Sequence, residues 1–275
     1  TGSLLGSAGN LNLTGANPLD RLQFNGNQLE LVVSAVPNLT WTGDGVGNLW
    51  DIGTSTTWLN GAVPSTFADG NTVTFDTIGA TNPVVNIAAL VAPAAVTVTG
   101  SSNYTFTGAG DITGGTALLK SGSGTLTVLN TNTFTGKVFL NGGILRLGDG
   151  VTNGALSAEI TNNAALIIAN GQDQTLTNFI SGPGSVTKQS TGTLYVTSDN
   201  AITGPTVISA GVLSLGDGIA PGGSLGTGIV TNNTTLVINR TDPVSLSNLI
   251  SGTGAFTQSG TGTTTFNTAQ NYSGL

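Results

Sequence analysis

Residues 119–150 read LKSGSGTLTVLNTNTFTGKVFLNGGILRLGDG, and a similar stretch, TKQSTGTLYVTSDNAITGPTVISAGVLSLGDG, occupies residues 187–218. A third copy starts at residue 257 and reads TQSGTGTTTFNTAQNYSGL up to residue 275. A fixed period with variable residues between anchors indicates a solenoid or another repeat array. Equivalent glycines in the three copies are separated by 68 and 70 residues: Gly124, Gly192 and Gly262.

Each copy is built from short runs in which polar and apolar residues alternate. Thr125–Val128 alternates hydroxyl and aliphatic side chains, and Leu145–Leu147 does the same around Arg146. Alternation with a period of two is typical of β-strands that bury one face, and no run has a helical period. Gly, Asn, Asp, Thr and Ser separate the runs and favour tight turns. The sequence therefore predicts an all-β fold, a β-solenoid with about three coils in each repeat.

The composition restricts the classes of function. Only 7% of residues are charged, the formal net charge is −7, and the six basic residues are spread along the chain, which argues against nucleic-acid binding. Cysteine and histidine are absent, which excludes thiol chemistry and triads that use histidine. No apolar run approaches the roughly 18 residues that span a bilayer. We therefore predict no enzyme activity, no cofactor and no membrane insertion.

The acidic residues are interpreted as turn residues. Asp149 and Asp217 occupy repeated Gly-Asp-Gly triplets, where an aspartate accepts hydrogen bonds from its own turn. A polysaccharide-cleaving enzyme would need two or three carboxylates that converge on a groove, and the thirteen acids are scattered. Two alternatives are calcium binding by the acids between residues 44 and 76, and ice binding by threonine arrays. Thr127 becomes Tyr195 in the second copy, which interrupts such an array.

Paired asparagines also recur at equivalent positions between the copies. Asn162 and Asn163 match Asn232 and Asn233. Stacked asparagines in β-structures bond to one another or to the neighbouring backbone. We predict that these residues form turn or ladder hydrogen bonds between coils.

All three tryptophans lie in one segment, residues 39–81, whose character differs from that of the repeats. Trp41, Trp50 and Trp58 are interpreted as an aromatic cluster at a module junction, because buried aromatic side chains dominate cores. The alternative is a platform on which sugar rings stack, with these three residues as the ligand-binding site. The predicted domains are 1–33, the end of a preceding solenoid section; 34–81, the Trp-rich junction; and 82–275, the solenoid with its repeats.

The pattern of Gly124–Val128, Asn132–Gly136 and Asn141–Gly148 resembles the autotransporter-associated β-strand repeat. That repeat is found in passenger regions of secreted bacterial proteins. The resemblance implies a right-handed parallel β-helix, export, and display at the bacterial cell surface. The Trp-rich segment resembles the module that precedes such repeats in very large surface proteins of some Gram-negative bacteria. We expect the chain to be a segment of a longer protein.

The two ends of a solenoid expose strand edges, which pair with other chains unless they are capped. The sequence shows no evident polar cap at either end. Phe24–Leu31 resembles the end of the repeat, Asn141–Leu147, so residues 1–31 and 257–275 are the predicted pieces for exchange between copies. The candidate self-association residues are apolar side chains of these two pieces: Leu4, Leu5, Leu11, Leu13, Phe266, Tyr272 and Leu275.

We therefore expect a non-enzymatic structural segment of a bacterial extracellular or surface fibre, either a stalk or a self-associating filament. Its expected partners are other copies of itself, through end-to-end or strand-exchange contacts, or the continuation of a longer chain. The alternative is an adhesin that binds a glycan or another cell through the Trp-rich segment.

Overall fold

The computed structural model describes residues 21–25, 28–32 and 35–274, which form β-strands and one 3-10 turn, Ile78–Thr81. Strands Arg21–Asn25 (β1) and Gln28–Val32 (β2) pair as an antiparallel hairpin. The other described strands are two to five residues long: Asn38–Trp41 (β3), Leu49–Trp50 (β4), Trp58–Asn60 (β5), Val63–Ser65 (β6), Thr72–Phe75 (β7), Val84–Ile87 (β8), Leu90–Val91 (β9), Ala95–Val98 (β10), Tyr104–Thr107 (β11), Asp111–Ile112 (β12), Ala117–Lys120 (β13), Thr125–Val128 (β14), Thr131–Asn132 (β15), Val138–Leu140 (β16), Ile144–Leu147 (β17), Ala155–Leu156 (β18), Ile160–Asn162 (β19), Ala165–Ala169 (β20), Gln174–Leu176 (β21), Ile180–Gly182 (β22), Ser185–Gln189 (β23), Thr193–Val196 (β24), Ala201–Ile202 (β25), Thr206–Ile208 (β26), Val212–Leu215 (β27), Val230–Asn232 (β28), Thr235–Ile238 (β29), Val244–Leu246 (β30), Ile250–Gly252 (β31), Ala255–Gln258 (β32), Thr264–Phe266 (β33) and Asn271–Tyr272 (β34).

These strands stack as the coils of a β-solenoid, which confirms the predicted fold class. Each coil contributes one strand to each of three faces of the rod. Strands β7, β8 and β9 form one such coil, and β10, β11 and β12 form the next. The first face is a ten-stranded sheet, β6-β5-β3-β7-β10-β13-β16-β19-β22-β25, and the second is an eleven-stranded sheet, β4-β8-β11-β14-β17-β20-β23-β26-β28-β31-β34. Eleven strands at the usual spacing give a rod about 48 Å long. Shorter groups complete the coils: β9-β12, β15-β18, β21-β24-β27-β29-β32 and β30-β33.

The alternation in the sequence sets the interior. In β14, Leu126 and Val128 are buried, whereas Thr125 and Thr127 face outward and are half-buried. Parallel in-register pairing places Leu145 on Leu126 in the next coil and continues the stack in the following one. The interior is therefore a continuous column of aliphatic side chains, and each coil covers the apolar face of its neighbour.

The repeat period is not a whole number of coils. From β14 through β17 and β20 to β23, consecutive coils are offset by 19 to 21 residues, so a period of 68 or 70 residues corresponds to about three and one third coils. The prediction of about three coils in each repeat is close, and the extra third of a coil was not predicted. Lys120 lies in the ten-stranded sheet, the equivalent Lys188 lies in the eleven-stranded sheet, and Gln258 lies in the five-stranded sheet. Each copy of the repeat is rotated by one face relative to the copy before it.

Buried asparagines join the coils, as predicted. Asn162 Nδ2 donates to the Ser185 carbonyl in the next coil at 2.9 Å, and Asn232 Nδ2 donates to the Ala255 carbonyl at the same distance. The predicted ladder bond also occurs, since Asn163 Nδ2 donates to Asn141 Oδ1. These bonds satisfy polar groups that the stacked backbone encloses.

A second interior position carries an amide in all three copies. Its side-chain oxygen accepts the backbone N–H of the residue 20 positions earlier, in the preceding coil. The three bonds link Ile112 N–H to Asn132, Ile180 N–H to Asn200, and Ile250 N–H to Gln270, at 3.0, 2.7 and 2.7 Å.

Candidate functional site

The three tryptophans, the predicted ligand-binding residues, lie in the core. Trp41, Trp50 and Trp58 are 0%, 0% and 1% exposed. The Trp41 and Trp58 rings meet edge to face at 4.9 Å, and the Trp50 and Trp58 rings do so at 5.2 Å. A sugar platform requires an open indole face, and none of the three has one in this structure. Their burial supports the packing interpretation.

Polar bonds and one close contact hold the cluster in place. Trp41 Nε1 donates to the Asn82 carbonyl at 2.9 Å, and the Tyr104 hydroxyl donates to the Asp76 carbonyl. Burial, helped by the charge of Asp76, raises the pKa of Tyr104 to about 12. Gly79 lies against the Trp41 ring, where an added Cβ would come within 2.6 Å of Trp41 Cδ1. The 3-10 turn can therefore pack over the indole only because residue 79 has no side chain.

The Trp-rich segment also reverses the strand direction at one edge of the first face. Strand β3 pairs in parallel with β7, but β5 pairs antiparallel with β3, and β6 pairs antiparallel with β5. This reversal ends the parallel stack of the first face. The outermost strand contains Pro64, which has no N–H to offer to another strand. The predicted lack of a polar cap stays a prediction, because residues 1–20 lie outside the described residues.

A Gly-Asp-Gly turn occurs three times, and the sequence comparison of the repeats missed the first, Gly43-Asp44-Gly45. In each turn the aspartate accepts the N–H groups of residues two and three positions later. The flanking glycines have positive φ, which glycine adopts at low cost. These donors, led by the N–H of Val46, Thr152 and Ile219, lower the pKa of the three carboxyls. The predicted turn role of Asp149 and Asp217 is thus confirmed.

The same turns hold three aliphatic side chains in solvent. The residue after each triplet is the most exposed large apolar residue of its region: Val46 at 93%, Val151 at 82% and Ile219 at 84%. Because the aspartate fixes the turn, these three tips have the same local backbone arrangement. They are the sites on the flank of the rod where an apolar contact is most accessible.

Two lysines of the repeat are buried, which the sequence did not suggest. Lys120 and Lys188 are each 1% exposed. Lys188 Nζ donates to three carbonyls, those of Gln189, Ser190 and Ala210, at 2.8 to 3.2 Å, and Lys120 makes the equivalent three bonds. Burial lowers the pKa of both amines, that of Lys188 to about 8 against a smaller opposing effect of Asp173. Each ammonium fastens a turn to the turn of the next coil.

The last described coil presents an open apolar groove. Ile250, Phe256, Phe266, Gln270 and Tyr272 line a cavity of about 270 Å³. Phe266 is 42% exposed, whereas the equivalent Val128 and Val196 are each 1% exposed. The structure thus brings together two of the predicted self-association residues, Phe266 and Tyr272. The others lie outside the described residues: Leu4, Leu5, Leu11, Leu13 and Leu275.

Acidic side chains elsewhere in the Trp-rich segment accept hydrogen bonds from the protein. Asp51 accepts from Ser55, Asp69 from the Ala92 N–H, and Asp76 from the Ile78 N–H. Across residues 21–25, 28–32 and 35–274, no group of three or more potential metal-ligating residues comes together. Over the same residues, the structure contains no helix with the length and apolarity needed to cross a bilayer.

The fold defines the class of structure, a β-solenoid, and its repeat is similar to a known passenger repeat. Residues 118–147 and 186–215 match the model of the Passenger-associated-transport-repeat, which confirms the resemblance seen in the sequence. A relative, the Adhesin BmaC autotransporter of Brucella suis biovar 1 (strain 1330), is 35% identical over 161 residues. The match covers 56% of this chain and 4% of the relative, so the chain spans a small fraction of that protein. No solved structure matches the chain.

Replacing Trp50 by alanine is expected to destabilise the rod by about 3–5 kcal/mol, because it leaves a cavity among the packed rings. Thermal unfolding followed by circular dichroism measures the effect. Val46→Ala, in the same segment but at an exposed tip, is the control and should change stability by less than about 0.5 kcal/mol. Equal effects of the two variants would contradict a core role for Trp50.

Replacing Lys188 by methionine keeps most of the side-chain volume but removes the donor of three hydrogen bonds. The partly buried carbonyls lose their partner, and the expected cost is about 1–3 kcal/mol. Lys137→Met is the matched control, since Lys137 forms an exposed ion pair with Glu159 at 3.2 Å and such pairs contribute little. A Lys188 variant as stable as the Lys137 variant would show that the buried bonds are dispensable.

The stability contributed by Lys188 is expected to depend on pH. Its pKa is about 8 in the folded chain and about 10.4 when unfolded, so the unfolded chain binds the proton more tightly between these values. The free energy of unfolding of the wild type should therefore rise from about pH 8 to about pH 10 relative to that of Lys188→Met. Urea titrations of both proteins across this range measure the difference. A constant or shrinking difference would refute the assignment.

Proposed function

We propose that this segment is a non-catalytic structural rod of a bacterial surface passenger, which acts as a stalk. The observation that carries the proposal is the uninterrupted stack of in-register coils along two long sheets. Such a stack resists bending, because each coil is joined to the next by backbone bonds and by buried side-chain bonds. The match to the passenger repeat supports an extracellular, cell-surface location.

The side chains on the surface of the rod also suit a stalk that only separates other parts of the protein. Charged residues are 7% of the sequence, and no histidine or cysteine is present. The acids described above accept hydrogen bonds from the protein, most of them within their own turns. These features support a surface of hydroxyl and amide groups that is well solvated and chemically inert.

An adhesin segment is the second candidate. One supporting observation is the relative, which is named an adhesin. The other is the set of three exposed aliphatic tips, Val46, Val151 and Ile219, since exposed apolar side chains held by rigid turns suit contact with another molecule. Under this candidate the contact residues are the tips, while the buried tryptophans stabilise the rod.

Binding of the labelled 275-residue chain to host cells and to immobilised glycans distinguishes the two candidates. A stalk should show no saturable binding, and its small-angle X-ray scattering should fit a rigid rod about 48 Å or more in length. Saturable binding that is lost when Val46, Val151 and Ile219 are all changed to serine would contradict the stalk and support the adhesin. The matched control is Thr127→Ser, which also alters an outward side chain of the flank.

A further inference from the structure

Two phenylalanines are exposed on the first face of the rod, in its middle coils. Phe139 and Phe179 are each 40% exposed, whereas the tryptophans and phenylalanines of the Trp-rich segment are buried. Across residues 35–252, no other aromatic side chain is exposed to this extent. The open aromatic surface that the tryptophans do not offer is therefore present elsewhere on the rod.

The register of the first face places the two phenylalanines two coils apart. Phe139 pairs with Thr161 in the next coil, and Thr161 pairs with Ser181 in the coil after that. Phe179 lies two residues before Ser181, and because side chains alternate along a strand, all four residues lie on the outer surface of the face. Two coil spacings and two residues along the strand separate the Cα atoms of the phenylalanines by about 12 Å.

Polar side chains lie between the two rings. Lys137 lies two residues before Phe139, and by extension of the pairing between β19 and β22, Glu159 lies beside Phe179. The Lys137 ammonium and the Glu159 carboxylate form an exposed ion pair at 3.2 Å. The surface between the rings therefore offers hydrogen-bonding groups but carries no net charge.

The second copy of the repeat lacks this combination at the equivalent positions. Val207 and Leu249 replace the two phenylalanines, and Pro205 and Ile229 replace the ion pair. The strands that carry these residues stack in the same parallel manner on the second face. Stacking of the coils therefore requires neither the exposed rings nor the ion pair.

We propose that Phe139 and Phe179 form a binding site for a neutral, extended glycan, whose sugar rings stack on the two phenylalanines. Sugar rings have apolar C–H faces, which pack on aromatic rings, and hydroxyl groups at their edges, which hydrogen-bond to polar side chains. An extended oligosaccharide presents both kinds of group along its length. Between the stacked sugars, Lys137 donates hydrogen bonds to the hydroxyl groups and Glu159 accepts them.

The charge and the size of this surface favour a glycan over other partners. Because Lys137 and Glu159 neutralise each other, the surface complements a neutral ligand rather than an acidic or a basic one. Three coils and three outward positions cover about 15 Å by 10 Å. Such an area, about 150 Å², is far below the roughly 800 Å² that each partner buries in a stable protein complex, so it does not suit a second copy of the chain.

The inference rests on the adhesin, the second candidate of the proposed function, and deepens it. It names the class of ligand and adds a contact site to the three exposed tips. The stalk candidate does not depend on it.

Titration calorimetry and saturation-transfer NMR of the 275-residue chain with cellohexaose, maltohexaose and N-acetylchitohexaose test the site. At least one of these neutral sugars should bind saturably, with an affinity that salt does not change. Phe139→Val combined with Phe179→Leu introduces the residues of the second copy and should weaken binding about tenfold or more, with thermal unfolding unchanged. Phe139→Tyr retains an aromatic ring and should retain binding.

The matched control is Val207→Thr combined with Leu249→Thr, which alters the equivalent positions of the second copy and should leave binding unchanged. If none of the three sugars binds the wild type, or if the phenylalanine double variant binds as the wild type does, the site is refuted. Saturable binding to host cells that depends on the tips Val46, Val151 and Ile219 would then still support the adhesin. Absence of binding to both sugars and cells would refute the adhesin as well and leave the stalk.

Discussion

The covering of each coil by the next is the constraint on which the rest of the structure depends. A single coil has an apolar face and a row of backbone groups that it cannot satisfy alone, and parallel pairing with a neighbour resolves both. Leu126 is enclosed because Leu145 lies on it, and Asn162 is satisfied because the next coil presents the Ser185 carbonyl. The stability of each coil therefore depends on the coils that it contacts.

The first and last described coils differ. Beside the tryptophan cluster, the antiparallel strands β5 and β6 form the edge of the first face. In the last described coil, Phe266 and Tyr272 are partly open around an apolar groove. The rotation of each repeat by one face has a further consequence, because equivalent turns such as those of Asp149 and Asp217 point to different sides of the rod.

The sequence predicted those features that depend on local pattern. Alternation in Thr125–Val128 predicted strands, and repeated asparagines predicted bonds between coils. The rotation of the repeats was not predictable, because it depends on coil lengths that the turns set. The reversal at β5 was missed because short antiparallel and parallel strands share one pattern. The burial of Lys188 was not predicted, since lysine is rarely buried unless its ammonium is bonded; three carbonyls, brought together by the fold, supply those bonds.

Native-state hydrogen exchange, followed by mass spectrometry on peptides along the chain, tests the stacking account most directly. If each coil is stabilised by its neighbours, amide protection should be highest in the central coils, remain high in the Trp-rich segment, and fall in the last coil around Thr264–Phe266. Uniform protection along the rod, or a Trp-rich segment that exchanges as fast as the last coil, would contradict the account.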